Sequence, residues 1–409
     1  MRIAIYHNLP SGGGKRALYE MLRRLAQRHE LVVHTLSTAD HEFCDLRPHC
    51  QRHVVWPFRP LPLARRPFGR LNQGIRAADL LRLHALQRKI AARIDAEGYD
   101  VVFVHNCQYG QSPSLLSFLH TPSVYYCQEP PRRIYEPPID RPYSRHSRAQ
   151  RAGNLVDPLP GLYRKTLASL DRRNVRAATT VLVNSAYSRE SLYRTYGIYV
   201  QVCYLGVDTE RFHPLSLPKE DFVLSVGALH PSKGFDFVIR SLALLDEPNR
   251  PCLVLVSNFT NEPEERYLSQ LAKQLHVPAA FHRRISDEKL LAFYNQARAT
   301  VYAPVMEPFG FVPIEAMACG TPVVGVREGG VRETVVHGVT GLLADRDPQA
   351  FASALRRLLD DPVWATELGQ NGLRHVQEAW TWEASLERVE ASLQAVANSK
   401  SACGDGRHA

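Results

Sequence analysis

The stretch Glu307-Pro308-Phe309-Gly310-Phe311-Val312-Pro313-Ile314-Glu315, running on into Ala316-Met317-Ala318-Cys319-Gly320-Thr321-Pro322, sets two glutamates around a glycine and two prolines. The apolar run from Ala299 to Ala303 before it reads as a buried strand, and Pro313 is placed like a proline in the first turn of a helix. The loop between them should therefore open at a helix N-terminus. Free backbone N–H groups and the positive end of the helix dipole suit an anion there, and Gly310 lets a ligand approach the backbone closely. Glu307 would precede the helix and Glu315 sit in its first turn, both within reach of the hydroxyls of a ligand whose phosphates lie between them.

Short apolar segments alternate with helical patterns along the chain. Arg2 to His7 reads as a strand, Leu9 to Gly14 as a glycine-rich turn, and Arg16 to Arg28 as a helix with Leu18, Leu22 and Leu25 on one side. Phe222 to Val226, Gly227 to Gly234 and Phe235 to Leu245 repeat that order. Further strands are predicted at 31–36, 100–104, 123–127, 180–183 and 200–204, then at 252–256, near Ala280, at 299–303 and at 322–326. Such alternation argues for parallel sheets covered by helices, with ligands at the strand C-terminal ends. A chain of 409 residues with 44% hydrophobic content supports two cores rather than one.

The Glu307–Glu315 spacing resembles the E-x7-E motif of glycosyltransferase family 4, retaining sugar-nucleotide transferases, and the resemblance runs from Met1 to about residue 396. It implies the GT-B architecture, an α/β fold of two facing Rossmann-like domains with a cleft between them. The domains would be an N-terminal acceptor-side unit over 1–206, a linker over 207–219 and a nucleotide-sugar-binding unit over 220–378. A C-terminal helix over 379–396 would cross back to the first domain, followed by a disordered tail over 397–409. In the family the first glutamate, here Glu307, lies beside the donor sugar, and the second, here Glu315, holds the ribose hydroxyls. An isolated pair at this spacing would read instead as a loop charge and a dipole-stabilised helix carboxylate.

The other signatures fall in order. Gly227-Ala228-Leu229-His230-Pro231-Ser232-Lys233-Gly234 is similar to the family's phosphate-binding turn, which puts Gly227 beside the donor and Lys233 on its diphosphate. Ala228 stands where many members carry an arginine, so one phosphate cation is missing. Gly206-Val207-Asp208 and Phe212-His213-Pro214 match the segment joining the family's domains. Gly329-Gly330 with Glu333, and Gly338 to Gly341, resemble turns that shape the nucleotide pocket, although plain tight turns explain them equally. Arg283 to Ser286 should lie beside the base. Gly12-Gly13-Gly14-Lys15-Arg16 aligns with the loop that faces the acceptor and the donor phosphates, which gives Gly13 and Gly14 as donor contacts. It lacks G-K-[ST], so an ATPase phosphate loop is excluded. His105 ends a strand where relatives often have a histidine, a core or loop histidine being the alternative, while Gln128 occupies the place of a second one.

Breaking an anomeric C–O bond puts positive charge on the sugar and negative charge on the departing diphosphate, and a site must hold both. Lys233 and the N–H groups of Phe309, Gly310 and Phe311 suit the diphosphate, and Glu307 suits the sugar hydroxyls; with His105 these form the candidate catalytic set. The resemblance implies transfer of a sugar from a nucleotide sugar with retention; a hexosyl group, mannose or glucose, passing to a saccharide or lipid-linked saccharide is the expectation adopted, with the donor base left open. It implies no cofactor and no obligatory metal. Two other classes stay open: a nucleotide-sugar epimerase of the same fold, which lacks the Glu307 to Pro322 signature, and a catalytically silent binding subunit, given Ala228 and Gln128.

Composition fits a soluble, cytoplasmic protein, with no run of 18 apolar residues and no apolar signal segment after Met1. Cys107, Cys127, Cys203, Cys252 and Cys319 lie in or beside apolar runs and read as reduced packing residues. His41, Cys44, His49, Cys50 and His53 crowd one segment but fit no usual zinc spacing, and Asp345-Arg346-Asp347 before Pro348 reads as a turn and helix cap, so no metal is assigned. Residues 1–200 carry 30 Lys+Arg against 15 Asp+Glu, whereas 201–409 carry 20 against 26, so the first half faces something anionic. Residues 52–93 hold ten basic side chains and only Asp79 against them. With Leu83, Leu86, Ile90 and Ile94 at helical spacing, this suggests peripheral docking of 59–93, including Arg65, Arg66 and Arg70, on an anionic inner membrane face. The same stripe could equally pack on the first sheet. No nucleic acid partner is expected.

Overall fold

Valine-, isoleucine- and leucine-rich segments bounded by glycine and polar turns form parallel sheets in the computed structural model, which describes residues 1–64, 72–144, 159–259 and 261–404. The first sheet is built from β1 (Arg2–Asn8), β2 (Glu30–Leu36), β3 (Arg52–Trp56), β4 (Val101–Cys107), β5 (Ser123–Tyr126), β6 (Thr180–Val183) and β7 (Gln201–Val202), in the order β3-β2-β1-β4-β5-β6-β7. The second contains β8 (Glu220–Val226), β9 (Cys252–Ser257), β10 (Ala279–Arg283), β11 (Ala297–Tyr302), β12 (Val323–Val326) and β13 (Gly341–Ala344), in the order β10-β9-β8-β11-β12-β13.

Each sheet starts in its own middle. Strand order therefore reverses between β1 and β4, paired in register at Tyr6 and Val104, and between β8 and β11, paired at Leu224 and Thr300. A crevice opens at such a reversal, beyond the strand C-terminal ends. β3 and β13 were not foreseen: β3 is a half-exposed edge strand in an arginine-rich segment, and β13 begins at Gly341, the last residue of the glycine-bounded segment 338–341 that reads as a turn.

Helix Gly13–Leu25 lays Ala17, Leu18, Met21, Leu22 and Leu25 against Ile3, Ile5, Val101 and Phe103, all fully buried. Helix Asn72–Ala96 covers the other face, where Leu83, Ile90 and Ile94 meet Tyr6, Val102 and Val104, with Leu86 packed alongside. Of the two partners open to this stripe, the sheet takes it and the membrane face does not. An uncovered sheet face offers those side chains a drier partner than a bilayer surface does, and burial of each contributes about 1.5–3 kcal/mol. Arg82 and Arg93 of the same helix pair with Asp79 and Glu97, while Arg65, Arg66 and Arg70 lie outside the described residues. No described helix is long and apolar enough to cross a membrane.

The chain passes between the lobes after β7 and returns before helix Trp382–Gly404, with Val207 bridging Thr381 where the two crossings run side by side. Gly206 permits that approach, since a Cβ there would sit 2.4 Å from the Trp382 nitrogen. The closing helix buries Leu386, Val389, Leu393 and Val396 in the first lobe's core and touches β4, β5 and β6. It begins three residues later than expected and continues past 396, so the first part of the expected tail is helical; residues 405–409 lie outside the described residues. Cys107, Cys127, Cys203 and Cys319 are buried free thiols, and Cys252 is a half-buried one.

Candidate active site

Glu307 sits on the loop that leaves β11 and enters helix Phe311–Ala318. Gly310 is the N-cap at φ 87°, with a Cβ position 3.0 Å from the Tyr302 ring, so a side chain there would be both strained and crowded. The helix starts two residues before Pro313, which moves Glu315 from the expected first turn to the second. A proline is tolerated there because its missing N–H lies within the first turn, where no carbonyl waits for it.

The loop's backbone is tightly accounted for. Six successive carbonyls, from Ala303 to Pro308, each accept a hydrogen bond. Arg346 donates to Ala303 (3.1 Å) and Pro304 (2.6 Å), and Arg132 to Val305 (2.7 Å) and Met306 (2.5 Å). The Gly330 N–H donates to Glu307 (2.8 Å) and Ser185 Oγ to Pro308 (2.5 Å). Gly329 and Gly330 are required by this closeness: a Cβ on Gly329 would stand 2.3 Å from the Glu307 carbonyl oxygen, and one on Gly330 2.5 Å from that of Pro308.

Lys233, on the turn after β8, donates through Nζ to both Glu307 carboxylate oxygens at 2.9 and 2.8 Å. Burial pushes the Glu307 carboxyl up, but the Lys233 charge, its hydrogen bonds and Arg132 outweigh that and hold it below the usual carboxylate range. Gly227 lies under this lysine, with its Cβ position 3.4 Å from Lys233 Cγ. A cavity of about 770 Å³ opens beside the pair, lined by Ala228, His230, Ser232, Lys233, Phe259 and Asn261 among others.

From the opposite lobe, Gly13 faces the Phe311 ring (Cβ position at 3.4 Å) and Gly14 faces the Gln128 amide (2.5 Å). Phe311 in turn meets Phe309 edge-on, and Phe309 is buried. Arg16 reaches across to Glu315 (2.5 Å), whose other oxygen accepts from Tyr294 Oη (2.7 Å). His105 is fully buried, stacked on Tyr126 and edge-on to Phe103; burial and then the nearby Lys15 charge depress its imidazole to about 3. Among the described residues neither His105 ring nitrogen finds a partner, and Gln128 Nε2 and His7 Nε2 are likewise buried and unpaired. Buried polar atoms rarely stay so unless a ligand or water satisfies them.

The structure thus brings Glu307, Lys233, Gly227, Phe309, Gly310 and Phe311 to one loop cluster, with Gly13, Gly14 and Glu315 at the facing lobe contact. Arg283 is exposed and paired with Glu265. Sequence reasoning missed Arg132, Ser185 and the Arg16–Glu315 ion pair, and it took Glu333 for part of a pocket turn. Glu333 instead accepts from the Ala186 and Tyr187 N–H groups (both 2.8 Å) and from Tyr204 Oη (2.9 Å), tying the lobes together. Among the described residues no three His, Cys, Asp or Glu side chains are grouped to hold a metal ion, and Asp347 caps helix Pro348–Asp360 by accepting from the Ala350 N–H.

Comparison with known proteins bears on this geometry. Residues 11–211 match the model of Glycosyltransferase Family 4, and residues 207–375 that of Glycosyl transferases group 1. The D-inositol 3-phosphate glycosyltransferase 2 of Catenulispora acidiphila is 32% identical over 52% of this chain and 55% of its own length. That of Acidothermus cellulolyticus is 34% identical over 57% and 56%. The chain spans about half the length of these curated relatives. Sucrose-phosphate synthase from Thermosynechococcus elongatus has the same fold, with a TM-score of 0.72 at 22% identity over 97% of this chain and 99% of that one. Anabaena HepE in complex with UDP and glucose gives 0.68 at 18% identity over 97% and 100%. Two family matches that abut near residue 211, on two facing parallel sheets, make this chain a member of glycosyltransferase family 4 with the GT-B fold.

Proposed function

We propose that the chain transfers a hexosyl group, glucosyl or mannosyl, from a nucleotide sugar to a saccharide or lipid-linked saccharide acceptor, with retention at the anomeric carbon. The observation that carries this is the Lys233–Glu307 pair at the mouth of a glycine-capped helix, with a cavity beside it. Lys233 and the N–H groups at Phe309 to Phe311 receive the diphosphate as negative charge builds on it, while Glu307, released from Lys233, takes hydrogen bonds from the sugar hydroxyls. Glu315 takes the ribose hydroxyls in place of Arg16. The relatives named as inositol-phosphate glycosyltransferases and the neighbour holding UDP and glucose support this class of donor and a hydroxyl-bearing acceptor.

Thermal-shift measurement against UDP-, GDP- and ADP-sugars tests the reading. The true donor at a hundredfold excess over its Kd should add about 2.7 kcal/mol of stability. Release of labelled sugar from that donor should survive EDTA; loss of activity restored by magnesium or manganese would overturn the metal-free mechanism, and no release with any donor would overturn the transferase itself. The reaction is assigned to the cytoplasmic side of an anionic membrane. With the stripe of helix Asn72–Ala96 buried, that contact rests on the basic side chains alone, and co-sedimentation with anionic vesicles should disappear at high salt.

A further inference from the structure

Every carbonyl flanking Glu307 has a donor, but the donors come from different lobes. Those of Ala303, Pro304 and Glu307 are held from within the second lobe, by Arg346 and the Gly330 N–H. Those of Val305, Met306 and Pro308 are held from the first lobe, by the two terminal nitrogens of Arg132 and by Ser185 Oγ. Met306, itself one of the two Arg132 partners and next to Glu307, has φ 46°, a left-handed conformation that a methionine adopts at a cost and keeps only when its surroundings enforce it.

Arg132 is itself aimed. Its Nε donates to Glu129 at 2.7 Å, which orients the planar guanidinium so that its outer edge meets both carbonyls. Nine residues along, Arg141 fastens the same segment to the second lobe a second time: it is 6% exposed, and its guanidinium donates to both carboxylate oxygens of Glu264 (3.1 Å) and to those of Asp236 (2.9 and 3.1 Å). Tyr143 also donates to Glu264. The segment between Glu129 and Ser144 is thus a strap from the first lobe, pinned at one end on the Glu307 loop and at the other beside helix Phe235–Leu242.

We propose that Arg132 is the positioning residue for Glu307: by bonding the Val305 and Met306 carbonyls across the cleft, it sets the carboxylate's geometry only when the lobes are closed. Domain closure then assembles the catalytic loop, and an open molecule holds donor on Lys233 without a correctly placed Glu307. The proposal rests on the transferase reading, and one of its tests does not.

The kinetic test compares Arg132→Ala, Arg132→Lys, Glu307→Gln and the Arg132→Ala/Glu307→Gln double variant on the donor identified above. Turnover at saturating donor should fall about a hundredfold in Arg132→Ala, the scale of a misplaced reacting group, with donor KM changed less than about threefold. Arg132→Lys, which can serve one carbonyl but not two in the same plane, should recover part of it. Because the effect runs through Glu307, the double variant should be no slower than the slower single variant. Multiplying losses, or a raised KM with unchanged turnover, would overturn the assignment in favour of a general structural or donor-binding role. Independently of any activity, amide hydrogen exchange in the peptide covering 305–311 should speed up in Arg132→Ala while β11 and helix Phe311–Ala318 beyond its first turn stay protected. Unchanged exchange there would overturn it whether or not a nucleotide sugar is the donor.

Discussion

Glu307 and Lys233 illustrate what single residues reveal and conceal. The two glutamates and the turn lysine were legible because each sits in a contiguous motif whose glycines and prolines announce the local backbone. Arg132 and Arg16 were not: nothing local marks them among so many arginines, and their partners lie 173 and 299 residues away. Glu307→Gln should lower turnover by about a hundredfold or more while leaving the unfolding midpoint within about 2 °C of wild type, because one preorganised electrostatic contact is lost from a cleft rather than a core; turnover within threefold of wild type would remove Glu307 from the site. Lys233→Ala should instead weaken donor affinity, read by calorimetry. Gly329→Ala should impair both activity and stability, since φ 55° strains any side chain and the new Cβ would stand 2.3 Å from the Glu307 oxygen. Normal kinetics in that variant would mean the loop can move aside freely.

Elements follow the pattern of their side chains when that pattern is long enough. Leu18, Leu22 and Leu25 marked helix Gly13–Leu25, although its start at Gly13 came three residues earlier than the reading from Arg16, because glycines carry no periodic signal. The stripe of helix Asn72–Ala96 was read as a stripe with its partner, membrane or sheet, left open, since periodicity shows that a face is covered but not by what. The closing helix gives a direct check on such packing. Leu393 is fully buried in the first lobe, so Leu393→Ala should cost about 2–5 kcal/mol there, visible as an earlier urea transition of the first lobe alone. A shift of both lobes together would show that the unfolding unit is the whole chain.

Charge and proton binding act on the whole molecule. His105 and His34 are both fully buried, with imidazoles depressed to about 3 and about 4, chiefly by burial. A histidine whose folded value lies below its unfolded one, near 6.5, leaves the unfolded chain holding more protons between the two. Each stabilises fully above pH 6.5 and is lost progressively as pH falls below it. Together they should cost about 3 kcal/mol between pH 6.5 and 5, a loss that begins well above the carboxylate range. Replacing His34 with phenylalanine should flatten that slope by about half, as measured by urea unfolding at pH 7, 6 and 5. An unchanged slope would assign the acid loss to other groups.

The return of the closing helix to the lobe where the chain began has a consequence for synthesis. Strands β8 to β13 and their helices form one continuous stretch, so the second lobe has all its parts once residue 379 has left the ribosome. The first lobe, translated earlier, still lacks Leu386, Val389, Leu393 and Val396 at that moment, and its face beneath β4 and β5 stays open. The half made first is completed last, and in between it is the part of the nascent chain that chaperones would meet.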